Sequence, residues 1–252
     1  MRQTEKGMYS DRLERAIQKA IQLHKNQLRR SPDELPYVSH LFSVYIILSS
    51  YTSDEDTLIA GLLHDAIEDT EYTLKELEAD FGPRVSRFVR GVTEEKERDG
   101  KPLPWKERKR GYLENLKGDS EESMLICVAD KIYNLQALKR DYEHYGESMW
   151  KFIQPNLKEK LWYHEEVLRI LTPRIRNRRA LYELAGTLSE TRGYFNAQKY
   201  PEETKKWSYS GTLIAFPVFA LSWYTRVGKR LNSLRSRALS AKIFGYGNRN
   251  TS

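Results

Sequence analysis

Cysteine is almost missing from this 252-residue chain, with Cys127 its only example. That excludes a disulfide framework and any zinc site built on thiolates. Cys127 lies in the apolar run 124–129 and reads as a small buried hydrophobe. The chain also lacks an apolar opening, because residues 1–16 (MRQTEKGMYSDRLERA) are charged. No secretory signal is therefore expected, and a reducing, cytoplasmic setting is. The body shows no sustained strand-type alternation between turns, no internal repeat and no low-complexity tract, which argues against a β-sandwich, a barrel or a solenoid. Acidic residues are scarce in one place only. Residues 199–252 hold ten Lys or Arg against Glu202 and Glu203, a charge of +8, while the other 198 residues hold 32 basic and 33 acidic groups, or −1. The formal charge of +7 thus belongs to the tail, and the body carries no electrostatic footprint of a nucleic-acid binder.

What is present reads as a succession of helices. Leu13, Ala16, Ile17, Ala20, Ile21 and Leu23 follow a 3.6 period within 12–28, with Ser10 or Asp11 placed to cap. A polar turn with two prolines, 31–36, precedes the mostly apolar, helix-length stretch 37–51. A segment opening at Ser53 or Asp54 has an apolar face of Leu58, Ile59, Leu62, Leu63, Ala66 and Ile67. Thr73 and Glu76 fit a capping box before a short helix that stops near Phe81 and Gly82, and 84–92 follows as a helix. Residues 94–104 read as a charged loop, with helices over about 105–117, 121–140, 147–171 and 173–190. The expected architecture is all-α: one helical domain over 8–190 and a basic, partly hydrophobic C-terminal extension over 191–252.

The chemistry-bearing residues sit on these helices. In His64-Asp65-Ala66-Ile67-Glu68-Asp69, an uninterrupted helix would put His64 and Glu68 on one face and Asp65 and Asp69 on the next. Four polar groups ending an apolar helix are costly unless compensated, and a divalent cation would compensate them. The alternative is an exposed polar helix end. His40, in the apolar stretch 37–51, is either a satisfied core histidine or a ligand. Asp130 follows an almost wholly hydrophobic run and is either paired with Lys131 or another cation, or ligates a metal; Asn134 lies one turn further on the same face. Two imidazoles and two aspartates make an N/O donor set suited to Mn, Fe, Co or Zn more than to Ca.

The order His40, His64-Asp65, Asp130 resembles the H…HD…D pattern of HD-domain phosphohydrolases, and in particular the hydrolase domain of RelA/SpoT-type proteins and the small alarmone hydrolases. His24-Lys-Asn-Gln-Leu-Arg29-Arg30-Ser31 resembles that group's H-x-G-Q-x-R-K-S, and Pro36-Tyr37-Val38-Ser39-His40 its P-Y-x-x-H. His64 to Thr70 is similar to HD-x-x-EDT, 81–93 to F-G-x-x-V-x-x-L-V-x-G-V-T, and 129–135 to A-D-R/K-x-x-N-L. The resemblance spans about residues 20–140. It implies an HD-type helical bundle in which His40, His64, Asp65 and Asp130 hold one metal, usually Mn²⁺. It implies that Glu68 and Asp69 orient and deprotonate the attacking water, and that Arg29, Arg30, Ser31 and Asn134 contact the nucleotide. The implied reaction removes pyrophosphate from the 3′ position of guanosine tetra- or pentaphosphate, (p)ppGpp, giving GDP or GTP. Departures lie near the expected nucleotide pocket: Asn26 replaces a glycine, the loop 31–36 is longer, and Gln136 and Ala137 stand where the long proteins often carry Arg and Thr. They leave open an HD phosphohydrolase for another phosphorylated nucleotide. A third reading, a membrane-anchored, non-catalytic interaction protein, meets the objection that the full set of six site residues is present.

The tail is a separate matter. Residues 207–225 (WSYSGTLIAFPVFALSWYT) carry no charge, with Trp207, Tyr209, Trp223 and Tyr224 near the ends as interfacial aromatics are. Only 212–222 is strongly apolar and Pro217 interrupts it, short of the about 20 residues that span a bilayer. Beyond it, Val227, Leu231, Leu234, Ala238, Leu239 and Ile243 alternate with basic residues as in a basic amphipathic helix. The tail is expected to pack on the domain, to pack on a second copy in an oligomer, or to lie on an anionic membrane surface; nucleic acid is not its expected partner.

Overall fold

The structure, a computed structural model, describes residues 10–31, 33–153 and 156–199. All of them fall in one compact unit, residues 1–200. The readings of 201–252, including 207–225 and the basic amphipathic stretch, lie outside the described residues. Among the described residues no helix is long and apolar enough to cross a membrane.

Among the described residues ten α-helices are found: α1 (Asp11–Leu23), α2 (Val38–Ser49), α3 (Glu55–Leu62), α4 (Ala66–Asp69), α5 (Leu74–Phe81), α6 (Pro83–Val92), α7 (Trp105–Leu116), α8 (Glu121–Tyr145), α9 (Leu157–Leu171) and α10 (Arg178–Lys199). The caps follow side-chain chemistry. Ser10 Oγ accepts from Leu13 N–H at 3.0 Å, Asp54 Oδ2 from Thr57 N–H at 3.0 Å, and Thr73 with Glu76 forms a reciprocal capping box. α8 is the spine. Its residues from Ser123 to Tyr133 are all buried, so this stretch is enclosed on every side rather than amphipathic. α2 and α10 lie against α8, α3 packs on α2, and α9 joins α7 to α10. The approach of α3 to α2 is close: a Cβ on Gly61 would stand 2.5 Å from Leu48 Cδ2, so any larger residue would have to displace the Leu48 side chain.

The all-α expectation holds, with local corrections. α1 ends at Leu23 rather than near 28, because residues 27–37 turn back on themselves through an antiparallel bridge, Leu28 to Pro36. The segment 94–104 contains a two-stranded ribbon, β1 (Glu97–Arg98) and β2 (Lys101–Pro102), joined by Asp99 and Gly100 at φ of +52° and +70°. The expected helix 147–171 is a 3₁₀ turn, Gly146–Lys151, followed by α9, whose start is set by Asn156 accepting from Glu159 N–H at 3.1 Å. The last helix starts at Arg178, not 173, and runs to Lys199. Asn177 Oδ1 caps it by accepting from Ala180 N–H at 3.1 Å.

Candidate metal centre

Three helices bring the donor atoms together. His40 comes from the first turn of α2, His64 and Asp65 from the junction of α3 and α4, and Asp130 from the middle of α8. The junction is not continuous helix, which corrects the premise that His64 and Asp65 lie within one. Leu63 at φ −110°, ψ 10° and Asp65 at φ −94°, ψ −3° lie in the sparsely used bridge region and break the helix. The break lets His64 Nδ1 donate to the Gly61 carbonyl at 2.8 Å, which leaves Nε2 as the lone-pair nitrogen facing inward.

His64 Nε2 stands 3.3 Å from His40 Nε2 and 3.1 Å from Asp65 Oδ2, and His40 Nε2 stands 3.3 Å from that same oxygen. Asp130 Oδ1 is 3.4 Å from His40 Nε2 and 3.9 Å from His64 Nε2. Donors that share an ion at about 2.1 Å stand roughly 3.0–3.5 Å apart across tetrahedral or octahedral edges. All the separations but the 3.9 Å between His64 and Asp130 fit that pattern, and the buried N/O donor set fits a divalent transition metal. His40, His64 and Asp65 alone already satisfy the geometry of a three-ligand site, with Asp130 reaching the same two imidazoles.

The electrostatics agree. Burial opposes charge on His64, yet Asp65, by charge and hydrogen bond, and Asp130 lift the imidazole to about 9. Burial would raise the Asp65 carboxyl, but His64 and His40 hold it well below its ordinary value. Asp130 is likewise lowered against burial, by Lys131 first and then by both imidazoles. Two buried carboxylates thus draw positive charge to the point a cation would occupy. Asp130 is paired with Lys131 through Oδ2, while Oδ1 faces the imidazoles.

Around the donors lies a shell of supporting bonds. Tyr37 Oη donates to Asp65 Oδ2 at 2.5 Å, with its ring between His24 and His40 at 5.3 and 5.4 Å. Asn134 Nδ2 donates to Asp130 Oδ1 at 2.5 Å, so this amide orients the aspartate. Glu68 Oε1 accepts from Glu94 N–H at 2.6 Å. Burial, with the charges of Asp65 and Glu94, pushes Glu68 up to about 7, the Glu94 N–H opposing. Asp69 is gripped on both oxygens, Oδ1 by Lys96 Nζ and Oδ2 by Gln27 Nε2 at 2.9 Å, and Gln27 Oε1 in turn meets His24 Nδ1 at 2.5 Å. Arg29 lays its guanidinium over Tyr133, 4.9 Å from the ring centre, and Tyr133 faces His40 at 4.7 Å. Ser31 Oγ is buried without a hydrogen-bond partner, and Arg30 is exposed.

The residues given no role from sequence are Tyr37, Gln27, Lys96, Glu94 and Lys109. Tyr37 and Gln27 sit inside the motifs that carry the resemblance, which was the available signal. Glu94 and Lys96 lie in a segment whose composition reads only as charged loop, and Lys109 lies in the helix expected over 105–117.

The profile of the HD domain family matches residues 16–150. A zebrafish (Danio rerio) protein named guanosine-3′,5′-bis(diphosphate) 3′-pyrophosphohydrolase MESH1 is 42% identical over 123 residues, covering 48% of this chain and 66% of its own length. The human (Homo sapiens) protein of the same name is 39% identical over 136 residues, covering 53% and 73%. A solved structure described as a metazoan ortholog of SpoT that hydrolyzes ppGpp superposes with a TM-score of 0.61 and 30% identity, covering 72% of this chain and 96% of that one.

Proposed function

Since the chain belongs to the HD domain family, we propose that it is a metal-dependent hydrolase that removes the 3′-pyrophosphate of ppGpp or pppGpp, leaving GDP or GTP. The observation that carries the reading is the convergence of His40, His64, Asp65 and Asp130 on one point. The kinship to proteins named for ppGpp hydrolysis supplies the substrate class. Mn²⁺ is our assignment for the metal. When bound, such a cation polarises the phosphoryl group and acidifies water.

The chain's own residues divide the remaining work. Glu68, buried and raised to about 7, is matched to accept a proton from water near neutral pH. The Glu94 N–H fixes its carboxylate. Asp69, held by Lys96 and Gln27, lends a second oriented acceptor. Arg29, with its guanidinium over the Tyr133 ring, presents a cationic plane on which a guanine ring stacks. Arg30 and the unpartnered Ser31 hydroxyl face the phosphates, while Asn134 acts mainly through Asp130.

The test is release of pyrophosphate from ppGpp with and without Mn²⁺, in wild type and in His64→Ala and Asp130→Ala, across a nucleotide panel with product analysis. Mn²⁺-dependent release that both substitutions abolish is expected. Metal binding without turnover of ppGpp, together with hydrolysis of a different nucleotide, would overturn the substrate.

A further inference from the structure

α4 is a single turn, Ala66–Asp69, yet its last two residues are the two carboxylates assigned to the attacking water. One helical turn fixes little by itself, and its last carbonyls find no partner within it. Partners come from outside. Thr70 Oγ1 donates to the Ala66 carbonyl at 2.6 Å, and Lys96 Nζ donates to the Glu68 carbonyl at 2.9 Å. The same ammonium bonds Asp69 Oδ1 and stands 3.9 Å from Glu68 Oε2. Two residues earlier, the Glu94 N–H holds Glu68 Oε1 at 2.6 Å. The stretch 94–96 thus grips the backbone of the turn and the carboxylates of both Glu68 and Asp69.

That stretch is itself fixed at both ends. Glu94 is buried, and its carboxylate lies 2.5 Å from Lys109 Nζ and 3.7 Å from an Arg108 guanidinium nitrogen, both on α7. The Lys96 carbonyl accepts from Leu103 N–H at 2.9 Å, which closes the ribbon of β1 and β2 directly after it. Both strands of the ribbon are exposed, so it adds nothing to the core, and two strands alone are barely stable. Its effect falls on the point where Lys96 leaves the chain. The Lys96 side chain is 39% exposed, and an ion pair so open to water adds little to stability. Its three rotatable donors, by contrast, let one ammonium tie a carbonyl to a neighbouring carboxylate. Among the described residues the bonds of this ammonium go to Glu68 and Asp69, and none goes to a metal donor.

Resting on the hydrolysis proposed above, we infer that Lys96 is a positioning residue of this enzyme: it locks the Glu68–Asp69 turn in the orientation that proton transfer from water needs, and the ribbon 97–102 holds Lys96 in place.

The measurements are steady-state hydrolysis of ppGpp with Mn²⁺, Mn²⁺ affinity, thermal midpoint, and amide hydrogen exchange of the metal-free protein, in wild type, Lys96→Met, Lys96→Arg and Gly100→Val. Lys96→Met is expected to lose roughly ten- to hundredfold in kcat, the cost of a proton acceptor out of place. KM and Mn²⁺ affinity are expected to stay within about twofold, and the midpoint within about 2 °C. Exchange in peptides spanning 66–70 is expected to quicken about tenfold while peptides of α8 keep their protection. Lys96→Arg, which again offers several donors, is expected to recover most of the kcat and of the protection. Gly100→Val keeps the ammonium but strains a turn residue at φ +70°, and a smaller fall in kcat, about three- to tenfold, is expected.

Wild-type kcat in Lys96→Met would overturn the inference. So would a raised KM at unchanged kcat, which marks a substrate contact, or a fall in kcat matched by lost Mn²⁺ affinity or a lowered midpoint, which marks a structural one. Wild-type kcat in Gly100→Val would overturn the part given to the ribbon. If wild type hydrolyses no ppGpp, quickened exchange in Lys96→Met keeps the lock and drops the substrate, whereas unchanged exchange drops the lock whatever the activity.

Discussion

Replacing Tyr37 with Phe removes one oxygen and tests whether the metal centre depends on the shell around it. In the wild type, Tyr37 Oη donates to Asp65 Oδ2 at 2.5 Å, the same oxygen that both imidazoles face. The ring itself packs between His24 and His40, and Phe keeps those contacts. A hydrogen bond to a carboxylate contributes about 1.5–3 kcal/mol. If all of it serves to orient Asp65, metal affinity falls roughly ten- to hundredfold, the range seen when supporting bonds around metal ligands are removed. Fold stability is expected to change little, since Asp65 retains the His40 and His64 contacts when the metal is absent. The assay is Mn²⁺ titration followed by the electron paramagnetic resonance signal of free ion, paired with urea unfolding of the metal-free protein. Wild-type affinity in Tyr37→Phe would refute the reasoning, as would a loss of affinity matched by an equal loss of unfolding free energy.

Three further outcomes are expected. Glu68 must be ionised to accept a proton, so kcat should rise with pH through an acid limb at or below about 7, because a bound cation can only lower that value; Glu68→Gln should abolish turnover while Mn²⁺ still binds. His164 is buried neutral, with burial the main cause of its fall from 6.5 to about 4, so the unfolded state binds the proton first. Stability should then be fully present above pH 6.5 and fall by up to roughly 3 kcal/mol as pH drops to 4, at about 1.4 kcal/mol per pH unit; His164→Gln should flatten that slope in urea titrations at stepped pH. In Gly91→Ala the added Cβ would stand 2.5 Å from Asp119 Oδ1 and 2.6 Å from Ser123 Oγ, where Ser123 is buried. A loss of about 1–3 kcal/mol in unfolding free energy is expected, and wild-type stability would contradict the tight packing of α6 on α8.

The site was more legible in the chain than the connections that support it. Asp130 stood out because a carboxylate after a hydrophobic run must be answered by something, and Lys131 and the imidazoles both answer it. His40 stood out only in company, since a lone histidine on an apolar helix has no distinguishing feature. The break at Leu63 to Asp65 was invisible because Leu, His and Asp carry no local breaker, and the turn is imposed by packing and by the Gly61 carbonyl. The ribbon at 97–102 escaped because two-residue strands give no alternation to detect, although its Asp-Gly pair is a turn signal. The Glu68–Glu94–Lys109 connection crosses from α4 to α7, and no spacing rule on one helix reaches that far.

The interruption between α3 and α4 has a consequence for how such a site can be lost. Side chains of neighbouring residues on an uninterrupted helix diverge by about 100°, too far to grasp one ion. The bend at Leu63 to Asp65 cancels that divergence, so His64 and Asp65 travel as a single pincer whatever the surrounding helices do. A single-residue insertion within that dipeptide would disarm both jaws together, whereas sliding of α8 would withdraw only Asp130. Damage to this protein should therefore come in two grades: graded weakening from the spine, and all-or-nothing failure from the bend.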